Sequence, residues 1–95
     1  MKKIQEFILR EIADEYLLIP TGKTTETFNG MITLTESAAF IYEHLEEAKS
    51  FEALVDLITK EYDIDKQTAA NDAYQFIQHM LSQGMITLSN PENNW

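Results

Sequence analysis

The stretch that most constrains the fold runs from Phe28 to Leu45 and reads FNGMITLTESAAFIYEHL. It opens with Asn29-Gly30, a pair that tolerates the positive φ angles of a tight turn. A short apolar and β-branched run follows at Met31–Leu34, and Thr35-Glu36-Ser37 then has the composition of a helix start. Because no sustained helical periodicity precedes Thr35 and most of the chain after it is helical in pattern, the chain is predicted to place its strands first and its helices last.

Two more strands are predicted upstream. The first covers Phe7–Ile12, and Ala13-Asp14-Glu15 is the predicted turn after it. The second covers Tyr16–Ile19 and is closed by Pro20, which has no N–H to donate to a sheet. The polar segment from Thr21 to Thr27 contains a glycine and is predicted to be a loop.

Three helices follow, each with a residue suited to cap its first turn. Thr35, Ser50 and Asp65 are the predicted N-caps. Gly84 is placed to end the third helix in a left-handed conformation, and Ile86-Thr87-Leu88 is long enough for a final short strand.

The pattern therefore predicts an α+β domain that is winged helix-turn-helix-like, with three N-terminal β-strands followed by three α-helices. At 95 residues the chain is expected to be one domain, with residues 1–95 forming the unit and a core from about 7 to 88. Residues 89–95 are predicted to be a polar tail, and we expect Trp95 at its end to be disordered or to make a crystal contact.

The charge excludes several classes of partner. Arg10 and six lysines oppose sixteen acidic residues, giving a net charge of −9 and a pI near 4.4. A nucleic-acid binder needs a positive surface to displace counterions from phosphates, and an anionic membrane repels an acidic protein for a similar reason. No segment approaches the length of apolar sequence that spans a bilayer. We therefore expect no nucleic acid, no membrane, a cytoplasmic location and a protein or peptide partner.

The sequence names no catalytic residue. His44 and His79 are the two histidines, neither has a second histidine one turn away, and the chain has no cysteine. The three glycines lie far apart, so there is no phosphate-binding loop. We therefore expect no enzyme activity, no metal and no cofactor.

Two features favour binding. The predicted third strand, with Met31, Ile32, Thr33 and Leu34, is an edge candidate whose unpaired backbone groups could accept an extended peptide. The alternative is that another part of the chain covers it. In the third helix, Ala70, Tyr74 and Leu81 form a second apolar stripe with Ile77 at its border. This stripe is either extra core or one wall of a peptide groove. The core stripe of the same helix is predicted to comprise Ala69, Ala73, Phe76, Ile77 and Met80.

Residues Ile8 to Ile86 resemble the PqqD family, whose members are peptide-recognition elements of systems that modify ribosomally made peptides. The resemblance lies in four segments that occur in the expected order: LREIADEYLLIPTG, FNGMITLTESAAFIYEHL, SFEALVDLITKEYDID and MLSQGMI. This chain differs at Thr35, where many relatives have asparagine, and at Phe40, where many have tryptophan. Both replacements keep the local chemistry, a helix cap and a bulky aromatic ring.

The resemblance implies a fold of three strands and three helices and a function without catalysis. Family members bind the leader of a precursor peptide, which adds as a strand to the third strand and lies against the third helix. They then present it to a modifying enzyme, often a radical S-adenosylmethionine enzyme. Carried over to this chain, the implied peptide site comprises Met31, Ile32, Thr33, Leu34, Ala70, Tyr74, Ile77 and Leu81.

Two other hypotheses stay open at this stage. The first is a winged-helix DNA-binding regulator that uses residues 65–83 as its recognition helix, although Lys66 is the only basic residue there apart from His79. The second is a structural subunit that forms a homodimer by pairing its third strand with that of a second copy.

Overall fold

The computed structural model describes residues 1–28 and 30–95. Its first half contains four strands and a short 3₁₀ helix: β1 (Lys2–Lys3), β2 (Phe7–Ile12), β3 (Glu15–Pro20), the 3₁₀ helix Gly22–Glu26, and β4 (Ile32–Leu34). Its second half contains three helices, a short strand and a 3₁₀ turn: α1 (Glu36–His44), α2 (Phe51–Glu61), α3 (Lys66–Ser82), β5 (Ile86–Thr87) and Pro91–Asn93. The predicted order of three strands and three helices is confirmed, and the predicted third strand is β4.

The strands form two antiparallel sheets. The main sheet has the order β2-β3-β4, and the smaller one pairs β1 with β5. A two-residue turn joins β2 to β3, since Ile12 pairs with Glu15, and Ala13 and Asp14 have φ angles of 50° and 67°. Two successive positive φ angles are the signature of the hairpin turn whose twist matches that of the strands. Asn29 of the other predicted turn, Asn29-Gly30, lies outside the described residues.

All three predicted helix caps are confirmed. The Thr35 and Ser50 hydroxyl oxygens accept hydrogen bonds from backbone N–H groups three residues later, at 3.1 and 3.0 Å. Asp65 does the same for Thr68 at 2.7 Å, and this bond lowers the pKa of the Asp65 carboxyl. At the end of α3, Gly84 takes the predicted left-handed conformation with a φ of 72°.

The core lies between the inner face of the main sheet and the three helices. Its fully buried large side chains come from β3 and from the three helices or the turn after α1: Leu18, Ile41, Leu45, Leu54, Val55, Ile58 and Met80. The part of the chain that the structure describes contains no helix long and apolar enough to cross a membrane.

Two predictions about loop and tail were wrong. The segment from Thr21 to Thr27 contains the 3₁₀ helix, and the buried Thr24 hydroxyl accepts a hydrogen bond of 2.7 Å from the Glu6 N–H. Trp95 is 4% exposed and belongs to the core cluster, as does Met1. The core therefore extends beyond the predicted limits of 7 and 88, because the tail folds back onto the turn between α1 and α2.

Tyr42 makes the stability of this core depend on alkaline pH. Burial, followed by the charge of Glu46, raises the pKa of Tyr42 to about 12. Its phenol titrates near 10 in the unfolded chain, so the unfolded state releases the proton first. The stability that Tyr42 contributes is complete below pH 10, and it is lost as the pH rises from 10 toward 12. We expect the urea midpoint to fall between pH 9 and 11.5, and to fall less in Tyr42→Phe. An equal fall in both proteins would contradict this assignment.

Candidate functional site

One edge of the main sheet is formed by β4, which pairs only with β3 among the described strands. In the register of this pair, Tyr16, Leu17 and Leu18 face Leu34, Thr33 and Ile32. In an antiparallel ladder, alternate residues of an edge strand direct their N–H and C=O groups away from the partner strand. The free side of β4 therefore offers backbone donors and acceptors to an extended chain.

A groove of about 660 Å³ runs beside this edge, between β4 and α3. Ile32 and Leu34 of β4 are half-buried in it, and Phe76 and Met80 of α3 line the opposite wall. Phe28, Ile41 and Met85 add further apolar surface to the lining. The groove can therefore hold apolar side chains next to a free strand edge.

The rim of the groove is polar where α3 meets solvent. Asp72, Gln75, His79 and Gln83 lie along one flank of the helix, and all four are exposed. Spacings of three and four residues place these side chains in one row on the helix surface. They can donate and accept hydrogen bonds at the open side of the groove.

The acidic character of the chain extends to the end of β3 that pairs with β4. Partial burial raises the pKa of Tyr16, and the charges of Glu11, Glu36 and Asp14 raise it further. Because Tyr16 lies opposite Leu34, this negative field reaches one end of the groove. A guest chain carrying cationic or neutral residues at that end is favoured over an acidic one.

The structure brings together only part of the predicted site. Ile32, Thr33 and Leu34 line the groove, whereas Met31 precedes β4 and is 59% exposed. Ala70 is half-buried and packs against the core cluster. It is not among the residues that line this groove.

The remaining predicted residues lie elsewhere. Tyr74, Ile77 and Leu81 line a second groove of about 430 Å³ together with Trp95 and Phe51. The prediction that they face the third strand is therefore wrong in geometry. The chain's own two ends lie along this flank of α3, since Met1 and Leu88 also line the second groove.

The error has a simple physical origin. A helical wheel shows which residues share a side of α3, but it does not show which side meets which neighbour. The buried row Ala69, Ala73 and Met80 has two flanks, and the sequence favours the more apolar one for the peptide. In the structure β4 lies opposite the other flank of α3, where Phe76 stands among polar residues. The signal for this was present, because Phe76 lies on the side of the predicted core stripe away from Tyr74 and Leu81.

No group of three or more histidine, cysteine, aspartate or glutamate residues that could hold a metal ion occurs within residues 1–28 and 30–95. His44 contacts Glu47 one turn later, and His79 lies on the groove rim. The groove itself offers hydrogen bonding at its polar rim and apolar contact along its walls.

A family model described as Coenzyme PQQ synthesis protein D (PqqD) matches residues 15–86. This chain belongs to the PqqD family. The matched range contains β3, β4 and all three helices, so every element that borders the β4 groove lies within it. The resemblance seen in the sequence is confirmed.

The PqqD-family chain also resembles a solved structure described as TbiB1 in complex with the TbiA(beta) leader peptide. The two share 24% sequence identity and superpose with a TM-score of 0.68, over 95% of this chain and 99% of that one. This likeness shows that the two proteins have the same fold. Comparison with curated proteins gave no match.

Proposed function

We propose that this PqqD-family chain is a non-catalytic adaptor, which binds the leader of a ribosomally made precursor peptide and presents it to a modifying enzyme. The observation that carries the proposal is the free edge of β4 beside an apolar groove. Family membership supports it, and so does the shared fold with TbiB1, a protein described in complex with a leader peptide.

In the proposed mode the guest peptide adds to the main sheet as a fourth strand beside β4. Backbone N–H and C=O groups of the guest pair with those of Ile32, Thr33 and Leu34, and Met31 extends the ladder by one residue. Side chains of a strand alternate between its two faces, so every second guest residue points into the groove. Phe76 and Met80 then receive apolar side chains, while the exposed α3 row contacts polar ones.

The apolar contacts are needed because the ladder is short. A strand of three residues supplies only a few hydrogen bonds, and each contributes about 0.5–1.5 kcal/mol after exchange with water. Ordering an extended peptide costs several kcal/mol, which offsets most of that gain. Burial of two apolar guest side chains adds about 1.5–3 kcal/mol each. The groove therefore decides affinity, and the backbone edge decides the direction and register of the guest.

In this proposal the modifying enzyme is a radical S-adenosylmethionine enzyme, as the family resemblance implies, and the adaptor works in the cytoplasm, where precursor peptides are made. DNA binding is not proposed, since Lys66 is the only lysine or arginine in α3 and the chain has a net charge of −9. A homodimer through β4 would occupy the same edge as the guest, so the two states would compete.

The test is a titration of the ¹⁵N-labelled chain with the leader segments of the short peptides encoded near its gene. We expect saturable changes in the amide signals of Ile32, Thr33 and Leu34, and in those of Phe76 and Met80. A leader of scrambled sequence is the control for unspecific contact. Saturation with no change at β4 would refute the mode, and sedimentation of the free chain would reveal a competing dimer.

A further inference from the structure

The side of the main sheet that faces away from the helices is unusually apolar. Phe7, Leu9 and Leu18 point inward and pack against the core cluster. The alternation of a strand sends their neighbours to the opposite side. We define the outer sheet face by the seven residues that this alternation places there: Ile8, Arg10, Ile12, Glu15, Leu17, Ile19 and Thr33.

Cross-strand pairing makes this apolar surface continuous. Ile8 pairs with Ile19, and in the next row Leu17 lies between Arg10 and Thr33. Ile8 is 41% exposed and Ile12 is 53% exposed, whereas Leu17 of the middle strand is 9% exposed. None of these aliphatic side chains belongs to the core cluster. Scattered apolar residues are normal on a surface, whereas several in adjacent rows of one sheet indicate a contact surface.

Acidic residues border this surface at the hairpin end. Glu15 lies in the outer sheet face opposite Ile12, and Asp14 lies in the turn beside it. Both are exposed, and Arg10 is the single positive charge of the hairpin. A partner surface that fits must combine an apolar centre with lysine or arginine side chains at one side.

We propose that the outer sheet face is the docking surface for the modifying enzyme, which meets it with an apolar patch bordered by basic side chains. The inference rests on the proposed adaptor function and adds a second binding surface to it. A second copy of the chain is a poorer occupant, since it would bring another nine net negative charges and the same acidic hairpin to the interface.

This surface adjoins the proposed guest. Neighbouring strands lie about 4.8 Å apart, so a peptide added to β4 would run about 10 Å from β3, in the same sheet. Guest side chains that do not enter the groove would point to the same side as Thr33 and Leu17. An enzyme docked on the outer sheet face would therefore contact the guest strand and the adaptor together. Enzyme and leader should bind with positive coupling.

The experiment measures two affinities for each variant of the chain. The probes are the leader peptide that binds this chain in the titration above and the radical S-adenosylmethionine enzyme proposed to act on it, each purified and titrated separately. The double variant Ile8→Thr/Ile12→Thr removes apolar surface while keeping β-branched residues in β2. Glu15→Lys reverses the one negative charge within the outer sheet face, opposite Ile12. Ile64→Thr, at a site that is 36% exposed outside the sheet, and Glu61→Lys on α2 are the matched controls.

We expect Ile8→Thr/Ile12→Thr and Glu15→Lys each to weaken enzyme binding at least tenfold, while leader affinity changes less than twofold. The two controls should leave both affinities unchanged. Enzyme binding that is absent in the unmodified chain, or insensitive to the outer sheet face, would overturn the inference. So would a concentration-dependent dimer in sedimentation that the double variant abolishes. Failure of the adaptor function would instead appear as no leader binding by the unmodified chain.

Discussion

Replacing Phe76 with alanine should weaken leader binding by about 30-fold. Phe76 lines the β4 groove from α3 and is partly buried against the core cluster. Loss of its ring removes the largest apolar surface that α3 offers to a guest, a change of about 2 kcal/mol. The measurement is the dissociation constant of the leader peptide for the original chain and for Phe76→Ala, at one salt concentration.

The matched control for this prediction is Tyr74→Ala. Tyr74 is also an aromatic residue of α3, it is 58% exposed, and it lines the second groove. Leader affinity should change less than twofold in this variant. The pair distinguishes the two flanks of the helix, because the sequence alone favours Tyr74 and the structure favours Phe76. A large loss of leader affinity in Tyr74→Ala, with little change in Phe76→Ala, would show that the guest binds in the second groove.

Because Phe76 also packs against the core, its removal lowers stability. Circular dichroism and thermal unfolding of Phe76→Ala must therefore show a folded chain at the temperature of the binding assay. Phe76→Leu provides a second reading, since it keeps apolar volume in the groove. We expect its leader affinity to lie between those of the original chain and Phe76→Ala.

Trp95→Ala should be among the most destabilising single substitutions in this chain. The indole is 4% exposed, its N–H donates a 2.7 Å hydrogen bond to the Ala48 carbonyl oxygen, and its ring meets the edge of Phe51 with centroids 6.4 Å apart. Truncating a buried tryptophan costs about 3–5 kcal/mol. Domains of this size have a total free energy of unfolding of about 5–14 kcal/mol, and a loss of about 1 kcal/mol lowers the melting temperature by about 5 °C. The melting temperature should therefore fall by about 15–25 °C.

Trp95→Phe separates packing from hydrogen bonding in this prediction. Phenylalanine keeps a ring beside Phe51 but leaves the Ala48 carbonyl without its donor, a loss of about 1 kcal/mol in addition to the smaller ring volume. The expected order of melting temperatures is the original chain, then Trp95→Phe, then Trp95→Ala. A melting temperature for Trp95→Ala equal to that of the original chain would show that the tail does not pack as described.

Local chemistry made the fold predictable. Thr35, Ser50 and Asp65 cap helices in almost any context, because their side chains accept hydrogen bonds from the first turn of the same helix. Gly84 ends α3 through a backbone conformation that other residues adopt at a cost. Signals of this kind act over a few residues, so they can be identified in a sequence without knowledge of tertiary contacts.

The features that could not be predicted depend on residues distant in sequence. Trp95 is buried through a bond to Ala48, 47 positions earlier, and the Met1 amino group donates a hydrogen bond of 2.6 Å to the Trp95 carbonyl oxygen. These contacts occupy the Tyr74 flank of α3, and they leave the Phe76 flank facing β4. The composition of the tail does not predict which part of the domain it packs against. The strand that borders the groove is therefore predictable from the sequence, whereas the side of α3 that lies opposite this strand is not.

The short length of β4 limits how long a guest peptide stays bound to it. With three residues to hold a guest, we expect a dissociation constant near the micromolar range. Association at about 10⁶ M⁻¹s⁻¹ then gives a residence time of about one second. Typical enzymes complete a cycle in about 0.1 s, so a delivered substrate would stay bound long enough to be processed, and its release from β4 would then be the slower step. A longer β4 edge would bind the leader peptide more tightly and slow its release further.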